Sequence, residues 1–109
     1  MNQFKISIAE AAEALKKEAE KKFTTVLEHG TMSVEYYAPQ KVDLQTPHEK
    51  DELYVIASGG GQFSRDGETV SFKTGDVLFV PAGMEHRFEN FTDDFATWVI
   101  FYGANGGEQ

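Results

Sequence analysis

The residues best suited to metal or acid–base chemistry in this 109-residue chain are its histidines, since it contains three histidines and no cysteine. Without thiolates, the chain cannot form disulfides, cysteine nucleophiles or cysteine-ligated zinc sites, and histidine and carboxylate remain as strong metal ligands. His48 follows a proline, and His86 follows the turn-forming run Pro81-Ala82-Gly83. These two histidines are therefore the candidates for a site, whereas His29 is expected to be a surface residue at a strand end.

Glu52 is the third candidate, four residues after His48. On one straight strand that spacing would separate the two side chains by roughly 13 Å, too far to share an ion. A chain reversal over residues 49–51 would place His48 at the end of one strand and Glu52 at the start of its neighbour, where facing side chains lie about 5 Å apart. The alternative is a solvated, charged hairpin without a ligand role.

His86 would arrive from a third strand and complete a set of two imidazoles and one carboxylate. Iron, manganese, nickel, cobalt and zinc prefer this set, whereas calcium and magnesium fit it less well. The pattern therefore predicts one divalent transition-metal ion. The alternative for His86 is a turn histidine held by a backbone hydrogen bond.

Composition and net charge limit the classes of protein to which this chain can belong. Apolar residues make up 40% and charged residues 26% of the sequence, which is typical of a single folded domain with one core. The formal net charge of −8 disfavours nucleic acid and membrane surfaces as partners and leaves a small-molecule ligand open. Glu10 and Glu13 interrupt the first apolar run, so we expect no secretory signal and a cytoplasmic location.

An N-terminal helix is predicted over residues 8–22, which are rich in helix-forming residues. Ser7 and Glu10 have the spacing of a capping box. The apolar positions recur at helical spacing and are Ile8, Ala11, Ala12, Leu15 and Ala19, with Phe23 just beyond. We expect this stripe to pack on the rest of the domain or on a partner subunit.

The rest of the chain has the pattern of short β-strands. Runs rich in Val, Thr, Phe and Tyr are separated by turn signals, of which Asp66-Gly67 is a strong hairpin signal. The predicted strands cover residues 24–27, 32–38, 42–46, 53–58, 61–65, 69–73, 77–80, 86–91 and 95–102. This texture predicts a sandwich or barrel.

Two segments of the sequence resemble the motifs of the cupin superfamily. The family's second motif is matched in order and spacing by Gly75, Pro81, Gly83, His86 and Asn90. Of the first motif, His48, Glu52 and Gly59 match, but the place of its first histidine falls on Thr46. The resemblance implies a metal site made of His48, Glu52 and His86, with Gln45 or Thr46 as a weak fourth ligand.

The same resemblance implies an all-β fold, a cupin jelly-roll β-barrel with one N-terminal α-helix. We expect residues 1–23 to be a helical segment packed on the barrel, 24–102 the barrel, and 103–109 a flexible tail. If Glu52 points into the barrel, strand alternation sends Tyr54 and Ile56 inward too. The Tyr54 hydroxyl is then a candidate contact for a substrate.

Similar small cupins include dioxygenases, isomerases, decarboxylases and lyases, so the resemblance implies a metal-dependent enzyme acting on a small organic molecule. We favour an oxygenase, because a three-ligand site leaves coordination positions for dioxygen. Two alternatives remain open: a non-catalytic small-molecule binding module, and a structural protein whose metal site is vestigial. Because small cupins usually pair, we expect a homodimer.

Overall fold

The computed structural model describes residues 4–18, 21–43 and 45–108, which form one helix followed by eight β-strands. The elements are α1 (Ile8–Lys16), β1 (Phe23–His29), β2 (Met32–Tyr37), β3 (Asp51–Ser58), β4 (Gly60–Arg65), β5 (Glu68–Lys73), β6 (Val77–Val80), β7 (His86–Glu89) and β8 (Ala96–Tyr102). Five strands form one antiparallel sheet in the order β1-β2-β8-β3-β6, and three form a second in the order β5-β4-β7. The predicted all-β jelly roll with one N-terminal helix is confirmed.

The core of the barrel lies between the two sheets. Its buried members are Tyr54, Ile56, Phe63, Phe72, Val80, Phe88, Phe95 and Val99. Phe88 is at its centre, with its ring centroid 4.7 Å from that of Phe95 and 4.8 Å from that of Tyr54. Along β3, Glu52, Tyr54 and Ile56 are all buried, so the predicted inward face of this strand is confirmed.

The helix α1 lies on the outer face of the larger sheet. Its capping box is formed: the Ser7 hydroxyl accepts from the Glu10 N–H at 3.1 Å, and the Glu10 carboxylate accepts from the Ser7 N–H at 3.0 Å. Ala11 is fully buried in a second apolar cluster, which includes Tyr36. Ile8 remains 45% exposed, so the packed stripe is narrower than the apolar pattern predicts.

The helix is shorter than predicted, because it ends at Lys16 and not at residue 22. The Lys17 N–H bonds the Ala14 carbonyl, and the next backbone bonds also span three residues, which tightens the last turn. The Lys22 carbonyl already accepts from the Ala38 N–H, so the chain must be extended by that point to enter β1. Ala19 lies outside the described residues.

The predicted strand over residues 42–46 is wrong for the part of that stretch that the structure describes. The Asp43 carboxylate accepts from the Gln45 N–H at 3.2 Å, a local bond that competes with strand pairing. It also accepts from the Phe88 N–H of β7 at 2.8 Å, which holds the segment against the smaller sheet. The other predicted strands correspond to β1–β8 with modest shifts at their ends.

The last described residues contact the barrel near β3. The Glu108 N–H donates to the Asp51 carboxylate at 2.9 Å, and the Gly106 N–H donates to the Glu49 carbonyl at 2.7 Å. The bond from the Glu108 N–H, with one from the Ala82 N–H, holds the pKa of Asp51 below its ordinary value. Flexibility of residues 103–109 stays a prediction. In the described part of the chain, no helix is long and apolar enough to cross a membrane.

Candidate metal centre

Glu52 is held inside the barrel by strand β3. It pairs with Val80 of β6 on one side and with Phe101 of β8 on the other, so its backbone is fixed between two strands. Its side chain is 1% exposed, and both carboxylate oxygens are buried without a hydrogen-bond partner among the described residues. A buried carboxylate without partners is unfavourable, so its surroundings are suited to a cation.

His86 faces Glu52 from the other sheet, at the start of β7. Its Nδ1 lies 2.9 Å from the Met84 carbonyl, which can only accept, so Nδ1 carries the proton and the Nε2 lone pair of the neutral ring is free. Nε2 lies 3.0 Å from Glu52 Oε1 but outside hydrogen-bond geometry. The contacting Nε2 is therefore available as a ligand atom.

The pKa of His86 reflects opposing influences. Burial, the largest of them, lowers the pKa, but the Glu52 carboxylate and the Met84 carbonyl together raise it above its ordinary value. A proton and a metal ion would compete for His86 Nε2, so acid should weaken metal binding.

His48 comes from the loop before β3, and its side chain is 32% exposed. Its predicted position at the end of a strand is wrong, because the chain bends at Glu49 and Lys50 without a strand before them. The bend nevertheless brings His48 Nε2 to 4.0 Å from Glu52 Oε2. The His48 carbonyl also accepts from the Gly83 N–H at 2.8 Å, which ties this loop to the turn before His86.

The three predicted ligand residues therefore meet at one point. One ligand atom each from His48, Glu52 and His86 lies within 4.8 Å of the others. Atoms bonded to one ion at about 2.0–2.2 Å lie about 3 to 4.4 Å apart, so the distances of 3.0 Å and 4.0 Å to the Glu52 oxygens suit a shared ion. Ligation itself stays a prediction.

Gln45 and Thr46, the predicted weak ligands, lie next to this group. Gln45 Oε1 is 3.3 Å from His48 Nε2 and accepts from the Tyr54 hydroxyl at 3.1 Å. Thr46 is exposed. The Tyr54 side chain is itself fully buried, and its contact with a substrate stays a prediction, as does ligation by Gln45 or Thr46.

Asp43 supports the site and was missed by sequence reasoning. It is 3% exposed and accepts hydrogen bonds from Gln45 Nε2 at 2.8 Å, from the Phe88 N–H and from the Tyr37 hydroxyl. Burial and this bond to Asp43 raise the pKa of Tyr37. The sequence signal was available, since an acidic residue interrupts the apolar residues of the predicted strand over 42–46.

A cavity of about 560 Å³ opens beside His48. It is lined by Lys22, Phe23, Glu35, Tyr37, Gln40, Val42, Gln45, Thr46, His48, Val99 and Phe101. Glu35 was also missed by sequence reasoning, although Val34 and Tyr36 mark one face of β2 and place Glu35 on the other. Burial, with a smaller contribution from Glu52, raises the pKa of Glu35 from 4.5 to about 7.

Comparisons with known proteins agree with this architecture. Residues 33–102 match the family model described as a cupin domain. An uncharacterised protein of Streptomyces coelicolor is 34% identical over 103 residues, 93% of this chain and 95% of that protein. A gentisate 1,2-dioxygenase of a Streptomyces species is 26% identical over 68 residues, 62% of this chain and only 19% of that enzyme.

Solved structures share the fold at low sequence identity. A Cupin 2 conserved barrel domain protein from Salinispora arenicola superimposes with a TM-score of 0.64 at 21% identity, covering 75% of each chain. The family match spans most of β2 and all later strands, and it contains the three candidate ligands. This chain therefore belongs to the cupin domain family.

Proposed function

We propose that this protein holds one divalent transition-metal ion through His48, Glu52 and His86 and acts on a small organic molecule bound in the adjoining cavity. The observation that carries the proposal is the set of unpartnered buried atoms: Glu52 Oε1, Glu52 Oε2 and His86 Nε2. A carboxylate and an imidazole buried without hydrogen bonds are unfavourable unless a cation compensates them. The fixed Nδ1–H bond of His86 orients its ring for that role.

Such an ion would polarise a substrate oxygen or activate dioxygen. Three protein ligands leave coordination positions for a substrate, and His48 lines the cavity from which a substrate would reach them. The cavity wall formed by Phe23, Val99 and Phe101 suits an apolar body. We favour an oxygenase over an isomerase or lyase, supported by the partial similarity to a gentisate dioxygenase.

The alternative is a non-catalytic binding module, or a homodimer with a vestigial site. It is favoured by Thr46, which stands where the first histidine of the first motif is expected and leaves the ion with one strong ligand fewer. The cavity beside His48 would serve a binding module without any metal.

Metal content separates these candidates. We would measure it by elemental mass spectrometry on untagged protein reconstituted with iron, manganese, nickel or zinc, beside Glu52→Gln and Glu49→Gln. Glu49 is an exposed carboxylate in the same loop, so its variant is a control of matched charge. We expect one equivalent in the wild type and in Glu49→Gln, and a loss of at least about tenfold in Glu52→Gln.

If all three proteins bound the same amount of metal, the assignment of Glu52 as a ligand would be contradicted. If none of them bound metal, the non-catalytic binding module would be favoured. For metal-loaded protein, oxygen uptake on a panel of small aromatic diols and hydroxy ketones tests the oxygenase. Turnover of a substrate without oxygen uptake would contradict the oxygenase and favour an isomerase or lyase.

A further inference from the structure

Glu35 lines the same cavity as the candidate ligand His48. It is on β2 and pairs with Val99 of β8, and Val99 pairs on its other side with Tyr54 of β3. Neighbouring strands lie about 4.8 Å apart, so β2 and β3 are separated by about 10 Å at this level. Val99 lies between them on this face, and the cavity of about 560 Å³ that Glu35 and His48 line together is large enough for a small molecule.

The Glu35 side chain points to the inner side of the sheet. Tyr36, its neighbour, packs in the outer cluster beneath the helix, whereas Tyr37 packs against the barrel core and bonds Asp43. Because side chains alternate along a strand, Glu35 shares the inner face with Tyr37. Among the described residues that line the cavity, Glu35 alone carries a carboxyl group.

The Glu35 carboxyl group has no partner among the described residues that would give it a structural role. In the described ranges, the Glu35 side chain forms no ion pair and no hydrogen bond, although Lys22 lines the same cavity. The other titratable groups on this side are Tyr37, His48 and Glu52. A half-buried carboxyl group without a hydrogen bond or ion pair is a candidate for a role in catalysis.

The surroundings of Glu35 suit proton transfer. Burial first, and repulsion by Glu52 second, bring its pKa to about 7, close to the pH at which a proton-transfer group is most effective. A cation held by Glu52 would offset that repulsion and favour the carboxylate form. Glu35 would then accept a proton more readily than it donates one.

We propose that Glu35 is the general base of this site and accepts a proton from a substrate held between it and the group formed by His48, Glu52 and His86. The inference rests on the proposed function, because a cation on the substrate oxygen acidifies that proton. The substrate class is a neutral molecule with an apolar body and an acidic O–H, or a C–H next to a carbonyl. The bond to hydrogen breaks, its electron pair stays on the substrate, and the Glu35 carboxylate becomes a carboxylic acid that returns the proton to the product or to water.

The test is proton abstraction from 2-hydroxyacetophenone, an aromatic hydroxy ketone, followed by proton NMR as loss of its CH₂ signal in deuterium oxide. The full chain is loaded with zinc, which has no redox chemistry. Wild type is compared with Glu35→Gln, Glu35→Asp and the control Glu28→Gln, since Glu28 is an exposed residue of β1. We expect Glu35→Gln to hold zinc but to exchange at least about tenfold more slowly, Glu35→Asp to recover part of the rate, and Glu28→Gln to match the wild type.

A second readout does not depend on turnover. The carbon-13 signal of the Glu35 carboxyl, identified by its loss in Glu35→Gln, should shift when the probe is added to zinc-loaded protein. Wild-type exchange rates in zinc-loaded Glu35→Gln would overturn the general-base role and leave the metal site intact. The general-base role would also be overturned if zinc-loaded wild type exchanged the CH₂ protons no faster than free zinc does. It would likewise be overturned if the probe did not shift the Glu35 carboxyl signal. A wild type that holds neither zinc nor iron, manganese or nickel would overturn the proposed function and this inference together.

Discussion

Each candidate ligand residue is positioned by a different kind of contact. Glu52 is fixed by its place in β3, His86 by the bond from Nδ1 to the Met84 carbonyl, and His48 by the bond from the Gly83 N–H to its own carbonyl. Glu52 and His86 are buried, whereas His48 lies at the cavity and is part-exposed. His48 is therefore the candidate ligand with the most room to adjust when an ion or a substrate binds.

His86→Ala should abolish metal retention while the barrel stays folded, because the core of eight apolar residues does not include His86. The measurement is metal content after dialysis, with far-UV circular dichroism as the check on folding. His29→Ala is the matched control, since His29 is exposed at the end of β1. Unchanged metal content in His86→Ala would contradict the site.

Asp43→Ala should lower the free energy of unfolding by about 1–3 kcal/mol, because it leaves the Phe88 N–H and the Tyr37 hydroxyl without their acceptor. Urea unfolding measures this, with Asp93→Ala as an exposed control expected to stay within about 0.5 kcal/mol of the wild type. Equal midpoints for the two variants would show that the Asp43 bonds contribute little to stability.

At the scale of elements, β3 connects the core to the site, because Glu52 and Tyr54 share its inner face. The next connection is tight: Gly59 has φ +78° and lies against Phe95 and Thr92 of the loop before β8. A Cβ added to Gly59 would lie 2.8 Å from the Phe95 Cα and would overlap the Thr92 hydroxyl. Glycine is required here by space as well as by conformation.

Gly59→Ala should therefore cost more stability than Gly30→Ala, although both positions have positive φ. Gly30 has no atom within 4 Å of an added Cβ, so its variant carries only the conformational cost of about 1 kcal/mol. We expect about 2–4 kcal/mol for Gly59→Ala, measured as the change in unfolding free energy in urea. Similar losses in the two variants would mean that the loop before β8 moves aside without cost.

At the scale of the whole molecule, two sheets close on one aromatic core, and the chain carries a net charge of −8. Part of that charge lies inside: Glu52 is buried in the barrel, and Glu35 lines the cavity next to it. Two carboxylates in one interior repel each other, so the stability of the metal-free protein should depend on pH.

The direction follows from Glu35, whose pKa rises from 4.5 to about 7 on folding. Between these values the folded protein binds more protons than the unfolded chain, so stability falls as pH rises through this window. Glu35→Gln removes the part of the pH dependence that Glu35 contributes. The variant should gain on the order of 1 kcal/mol over the wild type between about pH 5 and about pH 8, a value reduced by solvent screening at this half-exposed group.

Urea unfolding of the metal-free proteins at both pH values measures this gain. Glu28→Gln is the control and should follow the wild type, since Glu28 is exposed on β1. Parallel stability curves for wild type and Glu35→Gln would show that Glu35 titrates as an ordinary surface acid.

The sequence by itself determined the fold family, most of the strands and the three candidate ligand residues that the fold brings together. Alternating apolar runs and turn glycines are local features, so β1–β8 could be located before any contact was known. The motif around His86 likewise depends on a short stretch of chain. His48 and Glu52 were identified in the same way, from a short motif. The loop that carries His48 was not predicted, since a strand was expected before it.

The tertiary structure alone decided the roles of Asp43 and Glu35, the end of the helix at Lys16 and the cavity beside His48. Each of these depends on residues far apart in the chain. Asp43 leaves a strand pattern because β7 offers it the Phe88 N–H. The pKa of Glu35 is raised because folding buries its carboxyl group and, to a smaller extent, because β3 brings Glu52 into the same interior. Local propensity cannot encode such contacts, because the energy that decides them is present only once the two sheets have closed.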